Sequence, residues 1–196
     1  MCIRDRIRIP YGISNFETLV SENYHYVDRT PYISKLEALG ERYLFLVRPR
    51  RFGKSLFIST LHYYYGLEHK DKFQQLFGKY YIGQHPTSSA NTYLVLSLSF
   101  SSTHTNTAET TYQDFLRNVQ FGVQTLMSKF SEWFDLDSIR QITQLGSPSS
   151  VIQYLIKVIK TKDIPAKLYV LIDEYCLLYT SPSPRDATLS RMPSSA

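Results

Sequence analysis

Two periods of apolar and polar residues run along this chain, and they sort it into helices and strands. A period near 3.6 over Ala108–Phe130 sets Tyr112, Phe115, Val119, Val123, Leu126 and Met127 on one face and predicts a long amphipathic helix. Val151–Ile159 carries a shorter version with Val151, Tyr154, Leu155, Val158 and Ile159. Tyr93–Phe100 alternates Leu94, Leu96, Leu98 and Phe100 with Val95, Ser97 and Ser99, which predicts a strand. Tyr43–Val47 is apolar without alternation, as expected of a strand buried on both faces. Leu168–Ile172, dense in β-formers, predicts a further strand, and Tyr24–Val27 a short one. Shorter helices are expected near Phe16–Val20, from Thr30-Pro31 to Leu39 with Gly40 as the stop, from Gly53/Lys54 to Tyr65 with Gly66 as the stop, and over Asp71–Phe77 and Trp133–Leu145. His85–Asn91, Ser101–Thr107 and Ser147–Ser150 read as loops. Strands separated by helices predict a parallel α/β sheet.

Composition narrows the class. With 196 residues, 43% hydrophobic and 20% charged, the chain suits one globular domain of ordinary make-up. No apolar run approaches the ~20 residues that span a bilayer, and no apolar core follows the N-terminal charges as a secretory signal requires. A cytoplasmic protein without a membrane partner is therefore expected.

The two ends read differently from the rest. Met1–Arg6 and Cys176–Ala196 resemble translated transposon-adapter sequence, and the tail lacks periodicity. On this reading the domain proper is 7–175, interrupted before its end, and the tail 176–196 is disordered. Removing four of 22 basic and two of 17 acidic residues leaves a net charge of +3 where the whole chain has +5. Both cysteines, Cys2 and Cys176, fall in these ends, so the interior offers no thiol chemistry.

The chemistry concentrates in two places. Leu44–Ser55 reads as strand, tight basic loop, then Gly53-Lys54-Ser55 opening a helix. That layout holds phosphates with backbone N–H groups and one lysine. Its first glycine position holds Arg48. Far downstream, Leu168–Ile172 runs into Asp173-Glu174, the pattern of a Walker B strand. A magnesium ion on a nucleotide takes hard oxygen ligands, which Ser55 and Asp173 supply, while Glu174 is placed to orient or deprotonate an attacking water. The candidate set is thus Arg50, Arg51, Phe52, Gly53, Lys54 and Ser55 for the phosphates, Ser55 and Asp173 for the metal, and Lys54 and Glu174 for catalysis. Alone, Lys54 reads equally as a solvated first-turn lysine, and Asp173-Glu174 as an acidic helix start. Together and in order, each after a strand, they point to ATP and Mg2+. Arg50 and Arg51 suit phosphate oxygens or surface acids equally well.

With both motifs placed, the chain resembles the AAA-ATPase-like family of bacterial and archaeal proteins, many of which carry a PD-(D/E)xK nuclease-like domain after the ATPase. The matching pieces are Ile9-Pro10-Tyr11-Gly12-Ile13-Ser14-Asn15-Phe16, Tyr24-His25-Tyr26-Val27-Asp28-Arg29-Thr30, Arg48-Pro49-Arg50-Arg51-Phe52-Gly53-Lys54-Ser55 and Val170-Leu171-Ile172-Asp173-Glu174-Tyr175. Arg48 at the glycine position is a mark of that family. The resemblance implies a P-loop NTPase fold of the additional-strand type, a parallel sheet with flanking helices, here truncated after the Walker B strand. It implies Glu174 as the water-activating carboxylate. A nucleic-acid partner would act through a C-terminal domain this chain does not carry.

The remaining residues are more ambiguous. Asp28 fits a contact to the nucleotide or a loop arginine, or a cap for the helix at Pro31. The five histidines show no ligand spacing, and most are expected to be solvated. Tyr63-Tyr64-Tyr65 fits helix packing better than a base-stacking platform. Three functions compete: an ATP-binding and ATP-hydrolysing module coupled to a partner or attached domain, a nucleotide-gated regulatory or DNA-associated module without turnover, and a nucleic-acid binder using the basic loop. A sheet ending at the Walker B strand would leave that strand with exposed apolar surface.

Overall fold

The computed structural model describes residues 8–47, 49, 51–101 and 107–174. Arg48, Arg50, Tyr175, part of the polar loop before Thr107 and the two adapter-like ends lie outside the described residues. At the centre stand two parallel strands, β1 (Tyr93–Ser99) and β2 (Lys167–Asp173), paired in register from Tyr93 with Lys167 to Ser99 with Asp173. Parallel neighbours need a crossover. Here it contains three helices: α6 (Ala108–Lys129), α7 (Leu136–Gln144) and α8 (Pro148–Thr161).

The alternation of β1 divides the molecule into two cores. Leu94, Leu96 and Leu98 pack with Val119, Val123, Leu126 and Met127 of α6 and with Val151 and Leu155 of α8. The α6 backbone comes close to the sheet because Gly122 has no side chain; a Cβ there would meet Leu98 Cδ2 at 2.6 Å. On the other face, Val95 and Leu171 join the N-terminal half. That half comprises α1 (Phe16–Ser21), α2 (Pro31–Ala38), α3 (Lys54–Tyr65), a 3-10 helix over Leu67–Lys72, α4 (Phe73–Phe77) and α5 (Tyr81–Gln84). Phe16, Tyr64 and Phe77 are fully buried at its centre. The result is a mixed α/β arrangement with a small parallel sheet that has helices on both faces and leaves Val170 and Ile172 of β2 exposed.

Local sequence explains the helix boundaries. Asn15 caps α1 by accepting from the Thr18 N–H at 2.9 Å. Thr107 caps α6 and Asp135 caps α7 in the same way. Gly40, just past α2, has φ 65°, a conformation that favours glycine.

Four expectations need correction. Tyr43–Val47 is not a strand of the described sheet, and its exposures run 85, 43, 74, 39 and 86%. Only Leu44 and Leu46 of this segment are more than half covered. A central strand needs a ladder of hydrogen bonds to a neighbour as well as apolar side chains; the described sheet is the β1–β2 pair, with one further bridge from Tyr93 to Gly66. Tyr24–Val27 makes a single bridge, Tyr24 to Arg8, and no strand. Ser147–Ser150 begins a helix, because the Ser147 hydroxyl accepts from Ser150 N–H at 3.2 Å and Pro148 occupies the first turn. Asp71–Phe77 divides between the 3-10 helix and α4. The exposed apolar surface expected on β2 is present at Val170 and Ile172.

The tyrosine triplet belongs to the core. Tyr63, Tyr64 and Tyr65 are all buried, and their hydroxyls are held by Glu17 at 3.0 Å, Thr87 at 2.9 Å and Glu37 at 3.0 Å respectively. No face of these rings is left for stacking bases. His62 and His69 are also not solvated. They lie under the end of α3, where burial lowers the basicity of both imidazoles, that of His62 to about 4.

Candidate functional site

The start of α3 is shaped by its backbone. Arg51 and Gly53 both take left-handed conformations, φ 65° and 72°. Gly53 occupies the position before the first helical residue, and no side chain caps the helix there. The first-turn N–H groups of such a helix point outward without intrahelical partners, and the dipole favours an anion in front of them. Two hydrogen bonds between described residues help to hold the loop. Arg29 Nη1 donates to the Phe52 carbonyl at 2.8 Å, and Lys54 Nζ donates to the Pro49 carbonyl at 3.2 Å. The guanidinium lies so close that a Cβ on Gly53 would stand 2.8 Å from Arg29 Nη1.

The direction of α3 follows from its contacts with the sheet. Near its C-terminal end, the Tyr65 ring lies 4.7 Å from that of Tyr169 and 5.6 Å from that of Tyr93, both at strand beginnings. One turn earlier, His62 Nδ1 is 2.9 Å from Ser97 Oγ, four residues further along β1. The helix therefore runs antiparallel to the strands. Its first turn lies seven residues before His62, ~10 Å along the axis. Asp173 lies level with Ser99, two residues beyond Ser97, or ~7 Å. Lys54 and Ser55 thus reach the end of the sheet where β2 stops.

At that end Asp173 is half-buried on the face toward α3, in alternation with Tyr169 and Leu171. Its carbonyl accepts from Phe100 N–H at 3.2 Å, and its Oδ1 accepts from Glu174 N–H at 3.0 Å. Glu174 leaves the strand at φ 57° and is exposed. The fold thus brings Gly53, Lys54 and Ser55 to one end of the sheet with Asp173 and Glu174. Phe52 and Arg51 adjoin them in the chain and are exposed. Arg50 lies outside the described residues.

Asp28 does not reach the loop. Its Oδ1 accepts from Thr30 N–H at 2.8 Å and from the Thr30 hydroxyl at 2.7 Å, while Oδ2 accepts from Tyr81 N–H at 2.9 Å. It fastens the start of α2 to the start of α5, close to the capping alternative. The loop contact comes from its neighbour Arg29, which the sequence reading passed over. The only available signal was a basic residue in the Tyr24–Thr30 piece; its acceptor is a backbone carbonyl, which residue type does not reveal.

The family model described as "Predicted AAA-ATPase" matches residues 10–182. A protein of Azotobacter chroococcum mcd 1, described as "Uncharacterized protein in vnfD 5'region", is 47% identical over 57 residues, which is 29% of this chain and 11% of that protein. The match spans about a tenth of that relative's length. No solved structure matches. Among the described residues no helix is long and apolar enough to cross a membrane. With the family matched over most of its length, this chain belongs to the AAA-ATPase-like family.

Proposed function

We propose that the chain forms the nucleotide-binding part of a P-loop ATPase of the additional-strand type. It binds Mg·ATP, hydrolyses it, and couples nucleotide state to an attached or partner domain. The observation that carries this reading is the shared sheet end: an uncapped helix start behind left-handed Gly53, and the acidic terminus of β2 on the face toward that helix.

The residues fit the group. Lys54 donates to the neutral Pro49 carbonyl, and a bond to a phosphate oxygen is stronger because it is charge-assisted. Ser55 and Asp173 offer hydroxyl and carboxylate oxygen, the donors magnesium takes. Bound Mg2+ neutralises charge on the phosphate oxygens. In this reading the backbone N–H groups of Arg50 to Ser55 cradle the phosphates, with Arg50 and Arg51 adding charge. Asp173 holds its carboxylate steady through the Glu174 N–H. Glu174 orients the attacking water and accepts its proton. Arg29 is a positioning residue: it fixes the Phe52 carbonyl and so the path of the chain into Gly53.

The test separates hydrolysis from binding. Glu174→Gln is expected to bind an ATP analogue within about twofold of the parent protein and to release phosphate at least ~100-fold more slowly. Equal phosphate release by the variant removes Glu174 from the chemistry. ATP binding without phosphate release by the parent favours the regulatory module.

A further inference from the structure

At the other end of α3, far from the nucleotide loop, three side chains converge. His62 belongs to the last turn of the helix, Gly66 ends it, and Glu68 and His69 follow in the 3-10 helix. Glu68 Oε1 lies 3.7 Å from Nε2 of His62 and 3.7 Å from Nε2 of His69. One donor atom from each residue falls within 4.8 Å of the other two. These separations are too long for hydrogen bonds. They are close to the ~3.4 Å that separates donors on a tetrahedral ion with bonds of ~2.1 Å.

Satisfaction of polar atoms points the same way. All three side chains are at least four-fifths buried, and His69 Nε2 and Glu68 Oε2 are buried without any hydrogen-bond partner. Such orphaned atoms are uncommon in folded proteins. His62 Nδ1 sits 2.9 Å from Ser97 Oγ. In the tautomer that donates to Ser97, Nε2 carries the lone pair toward Glu68. A second-ring hydrogen bond of this kind orients metal-binding histidines. Two lysines oppose a cation: Lys129 Nζ donates to Glu68 Oε1 at 3.0 Å, and Lys72, near His69, is itself paired with Glu17 at 2.6 Å. Lys129 is 37% exposed and also lines a cavity of about 90 Å3 beside His62 and Ser97. Its ammonium therefore has room to withdraw, and the cavity has room for water.

We infer that His62, Glu68 and His69 form a binding site for a zinc-class divalent cation, completed by water, which ties the end of α3 to the 3-10 helix. Two imidazole nitrogens and one carboxylate select Zn2+ or Co2+ over Mg2+ and Ca2+. The site is separate from the nucleotide loop and does not depend on it.

The test uses the full chain with Cys2→Ser and Cys176→Ser, which removes both thiols. Titration with Co2+ alone is expected to give one equivalent bound, with the visible absorption of a tetrahedral ion, displaced by Zn2+. Zn2+ should raise the melting temperature and Mg2+ should not. Glu68→Gln, close in shape, and His69→Gln are each expected to weaken Co2+ binding at least ~10-fold. Lys129→Met should tighten it. Unchanged ATP-analogue binding by Glu68→Gln would show that the variant is folded and that the two sites are independent. Absence of stoichiometric Co2+ and Zn2+ binding by the parent overturns the inference without recourse to any variant. Binding that survives both Glu68→Gln and His69→Gln overturns it as well.

Discussion

Lys54→Ala is expected to weaken Mg·ATP binding by about 10- to 100-fold, the equivalent of losing one charge-assisted contact of roughly 1.5–3 kcal/mol. The same substitution should move the melting temperature by no more than ~2 °C. The two halves of this prediction have separate causes. In the structure Lys54 makes an exposed bond to the Pro49 carbonyl, which contributes little to folding. Toward a phosphate, the ammonium meets an anion in front of a helix start that already favours negative charge. Isothermal titration with an ATP analogue in the presence of Mg2+ gives the affinity, and thermal unfolding gives the stability. An unchanged affinity would detach Lys54 from the nucleotide. A collapse of the melting temperature would make it a structural residue.

Phe16→Ala should act in the opposite way, by destabilising the fold. Phe16 is fully buried. Its ring stacks on Phe77 at 5.0 Å and meets Tyr26 edge-on at 5.3 Å, with Tyr80 at 5.9 Å. Its N–H donates to Ser59 Oγ of α3 at 2.9 Å. Truncating such a ring costs roughly 3–5 kcal/mol, against a total stability of about 5–15 kcal/mol for a natural domain. The urea midpoint is expected to fall sharply. Phe121→Ala, on the exposed face of α6, should stay within about 0.5 kcal/mol. Similar midpoints for the two variants would contradict the two-core description. Because α1 packs on α3, nucleotide binding should be lost together with the fold in Phe16→Ala, unlike in Lys54→Ala.

Where a local rule decided the outcome, the sequence was legible. The helix from Lys54 to Tyr65, its stop at Gly66, the long α6 and both strands of the sheet follow from periodicity and glycine placement. Asp173 and Glu174 fall at the end of β2, as their run of β-formers suggested. What escaped depends on neighbours remote in sequence. Tyr43–Val47 has the side chains of a central strand, but it lies outside the described sheet with its side chains largely exposed, which apolar composition alone does not reveal. Ser147–Ser150 has the composition of a loop, yet one hydroxyl and one proline make it a helix start. Arg29 reaches the loop through a carbonyl 23 residues away. The five histidines show no ligand spacing in the sequence and most are expected to be solvated, yet His62 and His69 are largely buried. The turn at Gly66 folds them inward against Glu68.

The central claim is that Ser55 and Asp173, 118 positions apart in sequence, act on one metal ion at one nucleotide. A double-mutant cycle tests this most directly. Affinity for an ATP analogue is measured with and without Mg2+ for the parent, Ser55→Ala, Asp173→Asn and the double variant. With Mg2+, both single variants should bind more weakly, and the double variant no more weakly than the worse single one. In chelator, all four should bind alike. Losses that simply add to within about 0.5 kcal/mol, or that persist unchanged without Mg2+, would place the two residues in separate sites and contradict the account.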